Sequence, residues 1–315
     1  MIALDYQPLS IVEDEGFRLY SKSLRPEYTL PSRKTLTESL VPEYYSTIQQ
    51  KLVDMLDNVD ILSLTTNLWS SESNKFFITI TAHFIYDFKS YSVILATEEI
   101  KKAHTGENIA EAIRNILEKF RVTDKVITVV TDNAENMRKA ISKDLNMHHH
   151  PCVAHTLNLC VQDAINSNVE FSAILSKCKK LVGYFKRNNN AAYKLKEIQE
   201  QMNLPVVCVV QDVATRWNSS LMMLERLLKL KLPLTVALAS LTDAEERNLD
   251  ADEWIIIEET IPVLKPALSM TEKLSGEQYP TMSLIVPLIR GLQKSLQKKS
   301  HYYSNCNTAE AYFDG

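Results

Sequence analysis

The protein has 315 residues, enough for two domains, and its 45 % hydrophobic and 23 % charged residues are ordinary for a globular protein. Its formal net charge of −4 excludes an overall basic protein, so any contact with nucleic acid must come from local patches. No run approaches about 18 apolar residues and the N-terminus lacks a signal-peptide pattern, so we expect neither a membrane span nor a secretory leader.

Residues 1–58 are predicted to form an N-terminal helical segment. The stretches SIVEDEGFRLYSKSL and ESLVPEYYSTIQQKLVDMLDNV have helical character. Between them, RPEYTLPSRKT contains two prolines, which disfavour helix and predict an extended connection.

The pattern changes at residue 59, where runs rich in β-branched and aromatic residues begin. Strands are predicted at about 60–66, 75–87 and 91–100, followed by an amphipathic helix at about 107–120. The continuous apolar run at 125–130 predicts a strand buried on both faces. The order β-β-β-α-β predicts a mixed sheet with helices on its faces and this last strand at its centre.

Beyond that strand the sequence is mostly helical. Helices are predicted at about 134–144, 151–166 and 170–202, interrupted by one short apolar strand at about 205–210. From residue 212 to the end, only helices are predicted. The expected division is therefore a helical segment at 1–58, an α/β core at 59–211 and a helical domain at 212–315.

Charge is uneven in the helical half of the sequence. Residues 243–259 contain eight acidic residues and one basic residue, whereas 285–301 contain basic residues and no acid. The stretch 171–196 is also basic. The simpler interpretation is solvated helix faces, and a nucleic-acid patch is the alternative.

Asn67 and Asp132 follow two predicted strands and raise the question of a site. Asp132 precedes Glu135 by three residues, a spacing typical of a capping box at a helix start. Alternatively, Asp132 projects toward the end of the first strand, where Asn67 stands. Carboxylates on neighbouring strand ends can hold two divalent cations, whose mutual repulsion at ~4 Å is roughly 16 kcal/mol at an effective dielectric near 20. Asn67 supplies no charge to offset that repulsion.

Cys152 and His155 are three residues apart at a predicted helix start, so they share a face. Cysteine and histidine ligate zinc, but a structural site needs four ligands and no convincing fourth is present. We therefore expect a hydrogen-bonded cluster without structural zinc. The five cysteines contain no CxxC pair, which favours a reducing compartment.

Arg216 and Trp217 lie in DVATRWNSS, between a predicted strand and a helix for which Asn218 or Ser219 is an available cap. Trp217 as a core anchor is one interpretation. The other is an aromatic platform for an unstacked base, with Arg216 on phosphate.

The ordered motifs TTNLWSS, VTDNAENM, CVAHTLNL, TRWNSS and LSGEQYPTMSLIVPLIRGL resemble the hAT transposase superfamily, and especially the zinc finger BED-type proteins derived from it. The resemblance covers nearly the whole chain. It implies an α/β fold with an RNase H-like mixed sheet core interrupted by a helical insertion. Asn67 stands where the family has its first catalytic Asp, and Asp132 matches the second acid. Cys152 and His155 match a CxxH motif, and Trp217 matches the tryptophan associated with the flipped base.

The departures from the family pattern lead to the functional expectation. Asn67 replaces an acid, and the family's third acid, a Glu, is expected beyond a truncated insertion at 212–315. No BED finger is found, and the missing C-terminal dimerisation region puts dimerisation in doubt. We expect a catalytically inactive nuclear protein that binds partner proteins or chromatin. An active metal-dependent DNA transposase and a non-functional fragment of a larger BED-type protein are the alternatives.

The expected cofactor and DNA contacts rest on the resemblance together with the charge pattern. No cofactor is expected to be required, although Asp132 would bind Mg²⁺ or Mn²⁺ weakly. DNA contact is expected to be weak or through partners, without membrane contact. The residues expected to carry it are His155, Lys179, Lys180, Arg187, Arg216 and Trp217.

Overall fold

A computed structural model of the protein describes residues 2–213, 215–241, 245–276 and 279–310, with side chains up to residue 298. Lys299, Asp243 and the side chain of Glu245, which belong to the charged stretches, lie outside this description. The chain forms two compact units that divide after His150. Within the described ranges, no helix has the length and apolar character needed to cross a membrane.

Helices open the first unit, in agreement with the sequence prediction. They are α1 (Ile2–Asp5), α2 (Glu15–Leu24), α3 (Arg33–Thr35) and α4 (Val41–Asp57), with a 3₁₀ turn at Leu9–Glu13 and a π-helical turn at Leu36–Leu40. The proline-containing connection at 25–32 has no regular structure. From α4, Val53 and Leu56 enter the core of the unit.

A five-stranded mixed sheet forms the centre of the first unit, which confirms the predicted α/β fold. Its strands are β1 (Leu62–Ser70), β2 (Phe76–Tyr86), β3 (Lys89–Glu99), β4 (Val126–Thr131) and β5 (His149–Pro151), in the order β3-β2-β1-β4-β5. β2 is antiparallel to β1 and β3, whereas β4 is parallel to β1. The parallel pair needs a crossover, and the amphipathic helix α5 (Gly106–Lys119) lies in that connection.

One face of the sheet and helices α4 and α5 enclose the core of the first unit. The strands contribute buried aliphatic side chains at alternating positions, as a half-buried sheet requires. The largest fully buried members include Leu62, Leu64, Ile78, Ile80, Ile109 and Ile113. After β4 come the short helix α6 (Glu135–Lys139) and a π-helical turn at Ala140–Asp144.

Two strand predictions in this sheet were wrong. β1 does not end before Asn67 but runs to Ser70, because Asn67 pairs with Thr79 and Ser70 with Phe76 in the hairpin with β2. β4 is neither central nor buried on both faces. The middle of the sheet is β1, and Ile127 of β4 is 53 % exposed.

The predicted strand at 205–210 is not formed. Residues 204–213 have no regular structure, and the side chain of Gln199, which is 1 % exposed, bonds to the backbone of Val207. Its Nε2 donates to Val207 O at 3.3 Å, and its Oε1 accepts from Val207 N at 3.0 Å. Arg226 Nη1 also donates to Cys208 O. These side chains satisfy backbone groups that a neighbouring strand would otherwise satisfy.

The second unit is helical over its described residues. Its helices are α7 (Val153–Ser167), α8 (Val169–Arg187), α9 (Asn189–Gln201), α10 (Trp217–Lys229), α11 (Lys231–Ala239), α12 (Ala251–Leu274) and α13 (Ile285–Glu310). The single helix predicted at 170–202 is two helices, because Asn188 caps α9 by accepting a bond from Ala191 N. Side chains of α7 to α12 share one hydrophobic core. The compact division therefore falls after residue 150, not at the predicted 211.

Replacing Gln199 by Ala is expected to lower the free energy of unfolding by about 1–3 kcal/mol, because the partly buried N–H and C=O of Val207 lose their partner. Urea unfolding measures the loss. The matched control is Gln201→Ala, since Gln201 is exposed and, among the described residues, its side chain bonds to Glu197 alone, at 3.1 Å. The Gln201→Ala change should alter the free energy of unfolding by no more than about 0.5 kcal/mol. Equal effects of the two changes would contradict a structural role for Gln199.

Candidate functional site

Asn67 lies in β1, and Asp132 directly follows β4, the parallel neighbour of β1. The parallel register pairs Leu64 with Val129 and Thr65 with Val130. Continued by two residues, the same register places Asn67 beside Asp132. Asn67 is exposed and Asp132 is half-buried. That Asn67 and Asp132 share one site stays a prediction, and this register supports it.

Asn67 lies on the face of β1 that points away from the core, together with Thr65 and Trp69. Thr65 Oγ1 is hydrogen-bonded to His83 Nε2 at 2.9 Å, and Trp69 Nε1 donates to Thr79 at 3.1 Å. Burial lowers the pKa of His83. Across the described residues, the Asn67 amide has no hydrogen-bond partner, whereas its neighbours on this face are engaged.

Asp132 does not form the capping box that its spacing from Glu135 suggests. Helix α6 has Ala134 as its N-cap, without a side-chain cap. Instead, Asp132 Oδ1 accepts a hydrogen bond from Ala134 N at 3.2 Å, which is an Asx turn. One carboxylate oxygen is thus held by the backbone at the end of β4.

His149 of β5 is a neighbour of this turn that the sequence analysis missed as a site residue. Thr131 Oγ1 donates to Asp132 O at 2.6 Å and lies 2.8 Å from His149 Nε2. Because Thr131 has a single hydroxyl proton, Nε2 of His149 carries the proton of the second bond. Burial lowers the pKa of His149. The positive charge of Arg138 lowers that pKa further, whereas the carboxylate of Asp132 acts to raise it. The sequence signal for this residue is the run of three histidines at 148–150.

The charge of this arrangement limits its chemistry. Asp132 brings one carboxylate, and Asn67 brings an amide oxygen without charge. Over the described ranges, no group of three or more His, Cys, Asp or Glu side chains is placed to hold a metal ion. A pair of dications needs several carboxylates to offset its repulsion. Weak binding of one hard cation at Asp132 therefore stays a prediction.

Cys152 and His155 lie at the start of α7, where both are half-buried. Cys152 is the N-cap residue, and its side chain makes no capping bond. Its carbonyl accepts a hydrogen bond from Thr156 Oγ1 at 3.0 Å. The absence of structural zinc and the DNA contact of His155 stay predictions.

Trp217 does not offer a platform for a base, which corrects one of the two interpretations. It is the first residue of α10, and its ring is 2 % exposed within the core of the second unit. Neither Asn218 nor Ser219 caps this helix. Asn158 of α7, which the sequence analysis missed, accepts from Trp217 N at 3.0 Å. Arg216 is exposed beside it.

The three basic residues expected on α8 differ in their surroundings. Lys179 lies 2.8 Å from the carboxylate of Asp212, whose side chain is only 4 % exposed. Burial acts to raise the pKa of Asp212, but bonds from Lys179 and two serines outweigh it and lower that pKa. Lys179 therefore stabilises the fold. Lys180 and Arg187 are exposed, and their DNA contact stays a prediction.

Comparison with known proteins identifies the family. The family model described as the ZBED1 RNase-like domain matches residues 65–159, and the ZBED1 RNase-like helical domain matches residues 150–262. The chain belongs to the hAT transposase-derived BED-type family. The RNase-like match contains Asn67, Asp132 and His149, and the helical match contains Trp217.

Relatives of this BED-type chain carry names that describe different roles. It is 28 % identical over 314 residues to zinc finger BED domain-containing protein 4 of Homo sapiens, covering 94 % of this chain and 26 % of that protein. It is 28 % identical over 305 residues to the putative AC transposase of Zea mays, and the match covers 90 % of this chain and 37 % of that protein. It is 25 % identical over 341 residues to a putative transcriptional regulator of Talaromyces stipitatus, and the match covers 94 % of this chain and 40 % of that protein. The chain thus spans well under half the length of these relatives.

Replacing Trp217 by Ala is expected to lower the free energy of unfolding by about 3–5 kcal/mol, because it empties a large buried site. The control is Trp69→Ala, since Trp69 is 42 % exposed and stacks on Phe77 at 4.7 Å. The Trp69→Ala change should lower the free energy of unfolding by about 1.5 kcal/mol or less. Urea unfolding compares the two. Unchanged stability of the Trp217 variant together with weaker DNA binding would restore the platform interpretation.

Replacing Asn67 by Asp is expected to tighten Mn²⁺ binding, because it adds a carboxylate beside Asp132. Without metal, the two carboxylates repel, one pKa rises, and stability falls at neutral pH. Titration calorimetry measures the affinity. The control is Asn74→Asp, which adds the same charge at an exposed turn residue whose φ of 57° suits Asp. Equal metal affinity in both variants would show that Asn67 and Asp132 do not share a site.

Proposed function

We propose that this chain is a catalytically inactive, transposase-derived protein that acts in the nucleus by binding partner proteins or chromatin, with weak contact to DNA. The observation that carries the proposal is the parallel register of β1 and β4, which pairs Thr65 with Val130 and, continued by two residues, sets Asn67 opposite Asp132. An active two-metal site would need a carboxylate at both positions. The amide keeps the shape of the side chain and removes the charge.

A regulatory role is among those that the names of the relatives carry. These names include zinc finger BED domain-containing proteins and a putative transcriptional regulator, beside a putative AC transposase. Such names suggest a place on chromatin, and therefore in the nucleus.

Weak DNA contact is supported by the charges of the chain. The net charge is −4, and several lysines of the basic stretch 171–196 are paired with acids rather than free for phosphate. Electrostatic contact with phosphates supplies most non-specific affinity. Neutralised lysines contribute little to it.

Purified chain is expected to show no Mn²⁺-dependent nicking or joining of DNA above the level of an Asp132→Ala control. The physical reason is that one carboxylate cannot hold two dications. A nicking assay on supercoiled plasmid measures both proteins side by side. Metal-dependent cleavage that disappears in the Asp132→Ala protein would contradict inactivity and favour an active transferase.

A further inference from the structure

The two basic stretches of the sequence differ in how the fold uses them. In 171–196, four of the seven cations have a carboxylate partner: Lys177–Glu253 at 2.7 Å, Lys179–Asp212 at 2.8 Å, Lys194–Glu197 at 2.9 Å and Lys196–Glu200 at 3.7 Å. The first pair joins α8 to α12, the second joins α8 to the irregular segment before α10, and the other two lie along α9. Most of the positive charge of this stretch is therefore paired with carboxylates of the same chain.

The second stretch lies on α13 and is not neutralised in this way. Its sequence from 285 to 309 contains no acidic residue. Arg290, Lys294 and Lys298 are exposed, and no carboxylate of the described residues lies within ion-pair distance of them. This set of three is called the α13 stripe below.

Helix geometry places the α13 stripe on one side of the helix. Residues four apart are neighbours on a helix face, and the rise of 1.5 Å per residue sets the three charges about 6 Å apart over a length of about 12 Å. Leu288 and Leu292, about 200° around the helix from Arg290, pack against the core of the second unit. The hydrophobic contact thus holds the helix with its charges outward.

We propose that the α13 stripe binds the phosphate backbone of duplex DNA. A row of closely spaced cations without acids complements a polyanion better than a single anion, and DNA carries one negative charge per about 1.7 Å of its axis. The contact reads no sequence, because the stripe reaches phosphate and not base edges. This inference rests on the proposed DNA contact of the chain and names the surface that makes it.

The test compares two triple variants of the full chain by fluorescence anisotropy with a short labelled DNA duplex over a range of salt concentrations. The stripe variant is Arg290→Gln/Lys294→Gln/Lys298→Gln. The control is Lys34→Gln/Lys194→Gln/Lys196→Gln, which removes the same charge from lysines that have a glutamate partner three or four residues on. Circular dichroism checks that both variants keep their helices.

The wild type should bind DNA with a Kd of about 10⁻⁴–10⁻⁶ M. If all three cations contact phosphate, the slope of log K against log salt should be less steep by about 2.7 in the stripe variant. The control should keep the wild-type slope. Equal losses in both variants would reduce the effect to net charge and overturn the proposal.

Other results separate this inference from the proposed function. DNA binding that persists unchanged in the stripe variant would refute the stripe alone. A wild type without salt-dependent DNA binding would refute the proposed DNA contact as well. If the stripe variant kept DNA affinity but lost binding to phosphatidylserine vesicles, the helix would be a membrane-surface element and the DNA assignment would fall.

Discussion

β1 and β4 lie side by side and run in the same direction, and this pairing determines where chemistry can occur in the first unit. Leu64 pairs with Val129 and Thr65 with Val130, so the residues that follow are carried to one level of the sheet. The connection through α5 buries the other face of both strands and fixes the pair. Continued by two residues, this register sets Asn67 opposite Asp132 without requiring a contact between their side chains.

Charge then decides what the paired positions can do. An aspartate pair at this point offers the anionic oxygens that dications require, whereas Asn67 leaves only the Asp132 carboxylate. In the second unit, other polar groups with a functional appearance stabilise the fold. Lys179 neutralises a nearly buried Asp212, and Asn158 accepts from the backbone of the buried Trp217. The exposed cations of α13 have no such internal partner among the described residues.

The sequence predicted much of the fold because hydrophobic periodicity is local information. The helix at 106–119 and the hairpin of β2 and β3 follow directly from it. The short strand β5 was missed, because its three residues have no β-branched or aromatic pattern. The strand predicted at 205–210 failed because the partner of Val207 is the side chain of Gln199, which is a tertiary contact. Asn158 and His149 were missed as supporting residues for the same reason. Burial of Trp217 likewise depends on helices distant in sequence.

Cysteine cross-linking tests the pairing of β1 and β4 most directly. In the double variant Asn67→Cys/Asp132→Cys, neighbouring strands should bring the two Cα atoms within the roughly 4.4–6.8 Å that a disulfide spans. Mild oxidation followed by peptide mapping should then give a 67–132 disulfide in the folded protein and none in urea. The control pair is Asn74→Cys/Asp132→Cys, since Asn74 lies in the turn beyond the end of β1. Absence of the 67–132 bond, or equal bonding in the control, would contradict the geometry on which the account depends.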